Sequence, residues 1–154
     1  MSLKHCLGDI LNSPAREALC LGGADTLDRA VNALSVAGAS AVLIARDEEL
    51  EGIVTRGDLL RCMGRQRTGE GGLGRRLEEI MSAPVITADP ADTIAEALKM
   101  MAGNGIKHLP LRDAVKETII LHLTDLLGCK ADLFQAEAEH LHDYIDHLHD
   151  AGKD

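Results

Sequence analysis

The chain has 154 residues, of which 45% are apolar and 27% charged, a composition typical of a folded globular protein. Its formal net charge of −9 argues against DNA or RNA as the main partner, because a surface that binds nucleic acid must be basic. No apolar run approaches the length of a membrane span, no signal peptide is evident, and the four cysteines show no metal-ligand or CxxC spacing. These features predict a cytoplasmic protein with reduced cysteines that does not bind a membrane.

The sequence repeats itself at an offset of 67 residues. Asp25-Thr26 recurs as Asp92-Thr93 (92 − 25 = 67), and Asp58-Leu59-Leu60 recurs as Asp125-Leu126-Leu127 (125 − 58 = 67). Between positions 24 and 62, the residues identical to their counterparts at this shift are Ala24, Asp25, Thr26, Ala30, Gly38, Asp58, Leu59, Leu60 and Cys62. Identity at one fixed offset indicates a duplication, so both copies are expected to share one fold.

Each copy is predicted to form a β-α-β-β-α unit. Asp25 and Asp92 are placed to cap helices, because apolar residues recur after them at helical spacing. Gly38 and Gly105 stand where those helices should end, since glycine accepts a positive φ. The expected strands are residues 18–21, 41–45 and 52–55 in the first copy and 85–87, 108–111 and 118–121 in the second.

Residues 64–74 join the two copies and contain a GxGxxG-like stretch, Gly69 to Gly74. No apolar strand precedes this stretch, so it is predicted to be a flexible linker and not a dinucleotide-binding loop. Arginines concentrate around it. They predict either a solvated basic linker or a rim that attracts the phosphates of a small anion. They are Arg56, Arg61, Arg65, Arg67, Arg75 and Arg76.

Three fragments together resemble the cystathionine-β-synthase-type (CBS) domain family. They are Gly52-Ile53-Val54-Thr55-Arg56-Gly57-Asp58, Ile80-Met81-Ser82 with Pro84-Val85-Ile86-Thr87, and Gly105-Ile106-Lys107-His108-Leu109-Pro110-Leu111. The resemblance covers roughly residues 5–130 and implies an α/β (α+β) fold of tandem repeats related by a pseudo-two-fold axis, a Bateman module. The expected division is 1–64 for the first repeat, 65–130 for the linker and second repeat, and 131–154 for a C-terminal amphipathic helix.

The resemblance also implies a ligand: an adenine nucleotide of the AMP, ADP or ATP type, bound in the cleft between the repeats. Gly52, Thr55, Arg56 and Asp58 carry the family motif in the first copy. A carboxylate can accept hydrogen bonds from both hydroxyls of a ribose, and a helix N-terminus beside it supplies N–H groups as further donors. Thr55 and Asp58 equally form a plain helix-capping pattern, and the two roles are compatible.

The second copy departs from this motif. Ile119 stands in the place of Gly52 and His122 in the place of Thr55, whereas Asp125 is retained. His122 is expected to stack, contact a phosphate or block the pocket, so the second site is predicted to be weaker or altered.

Lys107 and His108 form a basic pair before Leu-Pro, which in relatives commonly reaches the phosphates. The competing interpretation is a surface lysine beside a partly buried histidine.

The tail from Asp132 onward is predicted to be a separate helix capped by that residue. Its apolar stripe, at spacings of 4, 3, 4 and 3, is expected to pack on the module or on a partner subunit. Because CBS relatives often pair, we expect a homodimer. The stripe consists of Phe134, Ala138, Leu141, Ile145 and Leu148.

The same tail places His142, Asp146 and His149 on one helix face. We expect this face to be solvated, with no metal bound, because a zinc site needs three or four convergent ligands.

No nucleophile–base pair or metal motif appears at recognisable spacing, so neither an enzyme nor a catalytic cofactor is expected. Two functions remain. The first is a regulatory module that senses an adenine nucleotide and acts in trans on an effector protein; the second is a nucleotide-free dimerisation scaffold. Retention of Gly52, Thr55 and Asp58 favours sensing, and the changes in the second copy favour the scaffold.

Overall fold

The computed structural model of the chain describes residues 7–8, 18–65, 72–112 and 118–152, so most of the GxGxxG-like stretch lies outside the described residues. The first repeat consists of β1 (Cys20–Leu21), α1 (Leu27–Ala37), β2 (Ala41–Arg46), β3 (Glu49–Thr55) and α2 (Arg56–Arg65). The second consists of α3 (Ile94–Asn104), β4 (His108–Arg112), β5 (Thr118–His122) and α4 (Leu123–Ala151). Both ends of α1 and α3 differ by 67 residues, which confirms the duplicated α/β fold.

The helices α1 and α3 are capped by Thr26 and Thr93, not by the aspartates that the sequence suggests. Each threonine has extended backbone, and its hydroxyl accepts the N–H of the residue three positions further on. Asp25 and Asp92 instead accept an N–H from three residues earlier, closing the preceding turn. The predicted caps are therefore wrong by one residue, because aspartate and threonine are both good cap residues and stand side by side here.

The ends of both helices confirm the prediction from glycine. Gly38 and Gly105 have φ values of 62° and 63°, in the left-handed region that a residue with a Cβ adopts only with strain. Each glycine turns the chain out of its helix and towards the first strand of the hairpin that follows.

The two sheets differ because of one proline. In the first repeat β1 runs parallel to β2, and the Leu43 N–H donates to Leu19 O at 2.8 Å. The equivalent of Leu43 in the second repeat is Pro110 (43 + 67 = 110), which has no N–H to donate. The strand predicted at residues 85–87 is accordingly absent, and the leading segment makes only a single bridge to β4, through Ala88.

Each repeat has its own apolar core, completed by a residue from the segment that precedes the other repeat. Leu77, which precedes the second repeat, is fully buried in the first core, and its N–H donates to Asp25 O at 2.8 Å. Leu7, which precedes the first repeat, is fully buried in the second core, and its N–H donates to Asp92 O at 2.8 Å. The two repeats are thus interlocked by reciprocal contacts.

The last helix is continuous from the second repeat to the tail. α4 begins after His122 and runs for 29 residues, so Asp132 lies inside it and the predicted cap there is wrong. No proline interrupts this stretch, and alanine, leucine and lysine at its centre favour helix. From Phe134 to Gly152 every described side chain is exposed, so the tail does not fold back on the described part of its module. Among the described helices, none combines the length and apolarity needed to cross a bilayer.

Candidate ligand site between the repeats

The open ends of the two hairpins meet between the repeats. In the first hairpin Ala41 pairs with Thr55, and in the second His108 pairs with His122. Ser40 Oγ, next to the first hairpin, lies 2.9 Å from His108 Nε2 in the second. Because α2 and α4 begin directly after Thr55 and His122, this contact brings the starts of both helices to the junction.

Thr55 and Asp58 form a reciprocal cap at the start of α2. Asp58 Oδ2 accepts the Thr55 N–H at 2.8 Å and the Thr55 hydroxyl at 3.1 Å. In return, the Asp58 N–H donates to Thr55 Oγ1 at 3.3 Å. The capping role anticipated for this pair is therefore present, and it fixes the position of the carboxylate.

The second carboxylate oxygen of Asp58 has an exposed side chain as its partner. Oδ1 accepts a hydrogen bond from the guanidinium of Arg61, one turn along α2. The Arg61 side chain is 69% exposed, whereas that of Asp58 is only 10% exposed. Because water can solvate the guanidinium of Arg61 when it leaves, a ligand group that donates to Oδ1 can take its place.

In the second repeat a histidine performs the capping role of Thr55. His122 Nδ1 accepts the Thr124 N–H at 3.2 Å, and Asp125 Oδ2 accepts the His122 N–H at 3.1 Å. Asp125 is exposed, in contrast to its counterpart Asp58. The imidazole is larger than a hydroxyl, and its ring contacts that of His108 in the junction.

The rings of His108 and His122 contact each other edge to face, with centroids 4.8 Å apart and planes inclined by 76°. The pKa of His108 is lowered from its ordinary value, first because burial penalises the charged ring and second because His122 lies beside it. Lys107 lowers this pKa further, while the Asp58 carboxylate acts in the opposite direction. Groups from both repeats therefore act on His108, which is neutral at pH 7.

Gly52 and its counterpart Ile119 have different surroundings. A Cβ on Gly52 would lie 2.5 Å from Met81 Sδ and 2.9 Å from Met81 Cβ, so the absent side chain makes room for Met81. The segment containing Met81 is held there by paired hydrogen bonds between Ile53 and Ser82, at 2.9 and 3.1 Å. Ile119 instead contributes its side chain to the core of the second repeat.

Two of the predicted cations lie at the surface. Arg56 is exposed and its Nε donates to Ala39 O at 3.0 Å, on the segment that leads into Ser40. Lys107 is also exposed, and the backbone at its position accepts the Leu123 N–H at 2.8 Å. Both residues therefore lie at the rim of the junction, with exposed side chains.

Ser40 was not predicted as a site residue, and Arg61 was predicted only as a member of the arginine cluster, although the sequence contains a signal for the position of each. Ser40 is the counterpart of Lys107 at the 67-residue offset (40 + 67 = 107). Arg61 lies three residues after Asp58, the spacing of neighbours on one helix face. Among the described residues, no three His, Cys, Asp or Glu side chains are placed to hold one metal ion.

Comparisons with known proteins agree with this architecture. The sequence profile of the family described as "CBS domain" matches residues 7–65 and 77–116, well over half of the chain. The sequence has no significant match among curated proteins.

Solved structures of several CBS-domain proteins share the fold. ATU1752 from Agrobacterium tumefaciens is 20% identical, with a TM-score of 0.73, over 82% of this chain and 99% of that one. CBSX2 in complex with AMP is 17% identical, with a TM-score of 0.65, over 84% and 98% of the two chains. The CBS-domain pair of MJ0100, solved with 5′-methylthioadenosine and S-adenosyl-L-methionine, is 19% identical, with a TM-score of 0.67, over 86% and 98%. The chain described here belongs to the CBS-domain family, and its two repeats form a CBS-domain pair.

Proposed function

We propose that the chain is a regulatory module, not an enzyme, that binds an adenine nucleotide in the cleft between its repeats and signals in trans to an effector protein. The observation that carries this proposal is the Asp58 carboxylate. One of its oxygens is fixed by Thr55, and the other has an exposed, replaceable partner. The proposal is supported by the two relatives above, whose bound ligands, AMP and S-adenosyl-L-methionine with 5′-methylthioadenosine, have adenosine in common.

Ribose binding follows from the chemistry of this carboxylate. Each oxygen has about two acceptor sites, so Oδ1 can take the hydroxyls of a ribose cis-diol once Arg61 moves away. The cap holds Oδ2 in place, so the carboxylate needs little rearrangement before it binds. The released Arg61, together with Arg56 and Lys107, supplies positive charge for the phosphates.

The second site is proposed to be weaker than the first. The ring of His122 is engaged with His108 and with the Thr124 N–H, so a ligand must displace it or bind around it. Asp125 is exposed, so its carboxylate is better hydrated and gains less from a ribose hydroxyl. We expect a stoichiometry nearer one nucleotide than two per chain.

A nucleotide-free dimerisation scaffold is the second candidate. It is favoured by the contacts of His108 with Ser40 and with His122, because these side chains occupy the junction from the second repeat. In this case the polar groups of the junction serve to join the repeats, and no ligand need enter.

Calorimetric titration with AMP, ADP, ATP and S-adenosylmethionine distinguishes the two functions. We expect at least one of these compounds to bind the wild-type chain, and at 100 times its Kd to stabilise it by about 2.7 kcal/mol in a thermal shift. Asp58→Asn keeps an oxygen that can accept the Thr55 N–H but loses the charge. It should weaken binding by about 2 kcal/mol, or ~30-fold, with the fold retained.

Asp125→Asn is the matched control, since it makes the same change at the corresponding place in the second repeat. It should affect the affinity much less than Asp58→Asn. Absence of binding by all four compounds would support the scaffold. Equal affinities of wild type and Asp58→Asn would show that the ribose is held elsewhere.

A further inference from the structure

The exposed part of α4 carries an apolar stripe with a seven-residue period. Leu127, Phe134, Leu141 and Leu148 follow one another at intervals of seven and are 50%, 61%, 60% and 55% exposed. Three further apolar residues, each three positions before one of these, complete a 3-4 spacing: Ala131, Ala138 and Ile145. This spacing gives the a and d positions of a coiled coil, which bury their stripe against another helix.

The stripe has no cover within the described part of the chain. From Phe134 to Gly152 all side chains are exposed, and the one buried residue of α4 is Leu126, inside the module. In proteins most helix stability comes from packing of an apolar face and not from intrinsic propensity. A projecting helix with such a stripe therefore requires a packing partner.

The charge pattern of α4 favours a second copy of the same helix as the partner. The acidic residues Asp132, Glu139, Asp143, Asp146 and Asp150 all fall at the outer b and f positions. Only Glu137 lies beside the stripe, at a g position, and a parallel pair places it opposite His142 of the second copy, at e. Two parallel copies of this helix therefore bring no acidic side chain opposite another acidic side chain at the e and g positions, so their charges do not oppose pairing.

We propose that α4 pairs with α4 of a second copy as a parallel two-stranded coiled coil along the stripe from Leu127 to Leu148. The parallel orientation is favoured because it stacks Leu127 on its own counterpart as a fourth d layer, next to the modules. An antiparallel pair would place Leu127 near Gly152, which has no side chain to pack. The two CBS modules then lie side by side at the same end of the coil, independently of whether a nucleotide is bound.

Two identical substitutions at neighbouring positions test the pairing in the full chain. Ala138 is at an a position on the stripe, and Ala136 is at an f position on the outer face; both are exposed in the single chain. Changing either to glutamate adds the same charge to the same helix and disturbs no buried side chain of the module. Ala138→Glu should weaken dimerisation at least ~100-fold in analytical ultracentrifugation, because it buries two carboxylates, whereas Ala136→Glu should dimerise as wild type does.

The orientation is tested by cross-linking of the Leu148→Cys variant under mild oxidation. In a parallel pair the two introduced thiols face each other, and a disulfide-linked dimer should form well beyond the level of the wild-type chain, whose own cysteines serve as the control. In an antiparallel pair they would be separated by roughly 25 Å of helix and could not join. A monomeric wild-type chain, equal dimerisation of the two glutamate variants, or a Leu148→Cys dimer that cross-links no more than wild type would each overturn the proposal.

Discussion

His108 is the residue at which the two repeats act on each other most directly. Its Nε2 contacts Ser40 of the first repeat, and its ring packs against His122 of its own hairpin. Burial and the neighbouring ring lower its pKa, so the neutral form prevails in the folded chain at pH 7. A phosphate beside the ring would favour the charged form, so the proposed nucleotide binding should be accompanied by proton uptake.

The lowered pKa of His108 predicts that the free energy of unfolding decreases as the pH falls. In the unfolded chain the imidazole titrates near 6.5, and in the folded chain it titrates below this value. Below pH 6.5 the unfolded state therefore binds more protons, so stability is complete above 6.5 and is lost as the pH falls towards the folded pKa. Urea denaturation at several pH values between about 5 and 7.5 measures this loss.

The control for this prediction is His108→Gln, which keeps a polar group near Ser40 but does not titrate. The difference in unfolding free energy between wild type and variant isolates His108 from the other histidines. That difference should shrink or change sign as the pH falls. A difference that stays constant over this range would contradict the prediction.

The close packing around Gly52 predicts that a single substitution there lowers stability. An added Cβ would overlap Met81 Sδ, Cγ and Cβ, so the whole methionine must move and not only its end. Gly52→Ala should therefore lower the free energy of unfolding by about 1–3 kcal/mol. Gly103→Ala is the control, since a Cβ there, in α3, meets nothing within 4 Å and should raise helix stability by about 0.5–1 kcal/mol. Gly52→Ala should lose less stability in a Met81→Ala background; an equal loss there would exclude Met81 as the cause.

At the scale of the elements, the caps of α1 and α3 differ in quality. Thr93 Oγ1 accepts the Glu96 N–H at 3.1 Å, and the Glu96 carboxylate accepts the Thr93 N–H at 2.8 Å, which completes a capping box. Thr26 Oγ1 is 3.5 Å from the N–H it accepts. Thr93→Ala should thus cost about 1 kcal/mol of stability in urea denaturation, and Thr26→Ala clearly less. Equal losses would mean that the longer hydrogen bond contributes as much as the box.

Much of the element order could be predicted from the sequence, because the 67-residue offset transfers each assignment from one repeat to the other. The failures were local. The strand at 85–87 is missing because Pro110 has no N–H to donate to it. The sequence alone could not predict this loss, because it does not show which residues of β4 the strand would pair with. The tail is helical as predicted, but its predicted start at Asp132 was wrong because nothing between Leu126 and Asp132 stops α4.

The candidate site was predictable only in part. The pairing of Thr55 with Asp58 follows from their spacing along the chain, since a cap is a local structure. The contact between Ser40 and His108 depends on how two distant segments are oriented, which periodicity does not encode. The packing of Met81 on Gly52 is of the same kind, and it supplies a reason for the glycine other than approach of a ligand.

At the scale of the whole molecule, the two repeats are joined by more than the linker. Leu7 completes the core of the second repeat and Leu77 completes that of the first, so each core uses a residue from outside its own β-α-β-β-α unit. The contact of Ser40 with His108 adds a direct link between the hairpins. If one repeat unfolded, it would lose its own core and would also release the segment that precedes the other repeat.

This interlocking predicts that truncating Leu7 or Leu77 destabilises the molecule as a unit. Both side chains are fully buried, so Leu7→Ala and Leu77→Ala should each lower the free energy of unfolding by about 2–5 kcal/mol. Leu73→Ala is the control, because Leu73 precedes Leu77 by four residues but is 39% exposed, and its loss should stay within about 0.5 kcal/mol. In urea, both buried variants should still unfold in one transition that is shifted to lower denaturant. Two separate transitions, of which only one responds to each substitution, would show that the repeats unfold independently despite the reciprocal contacts.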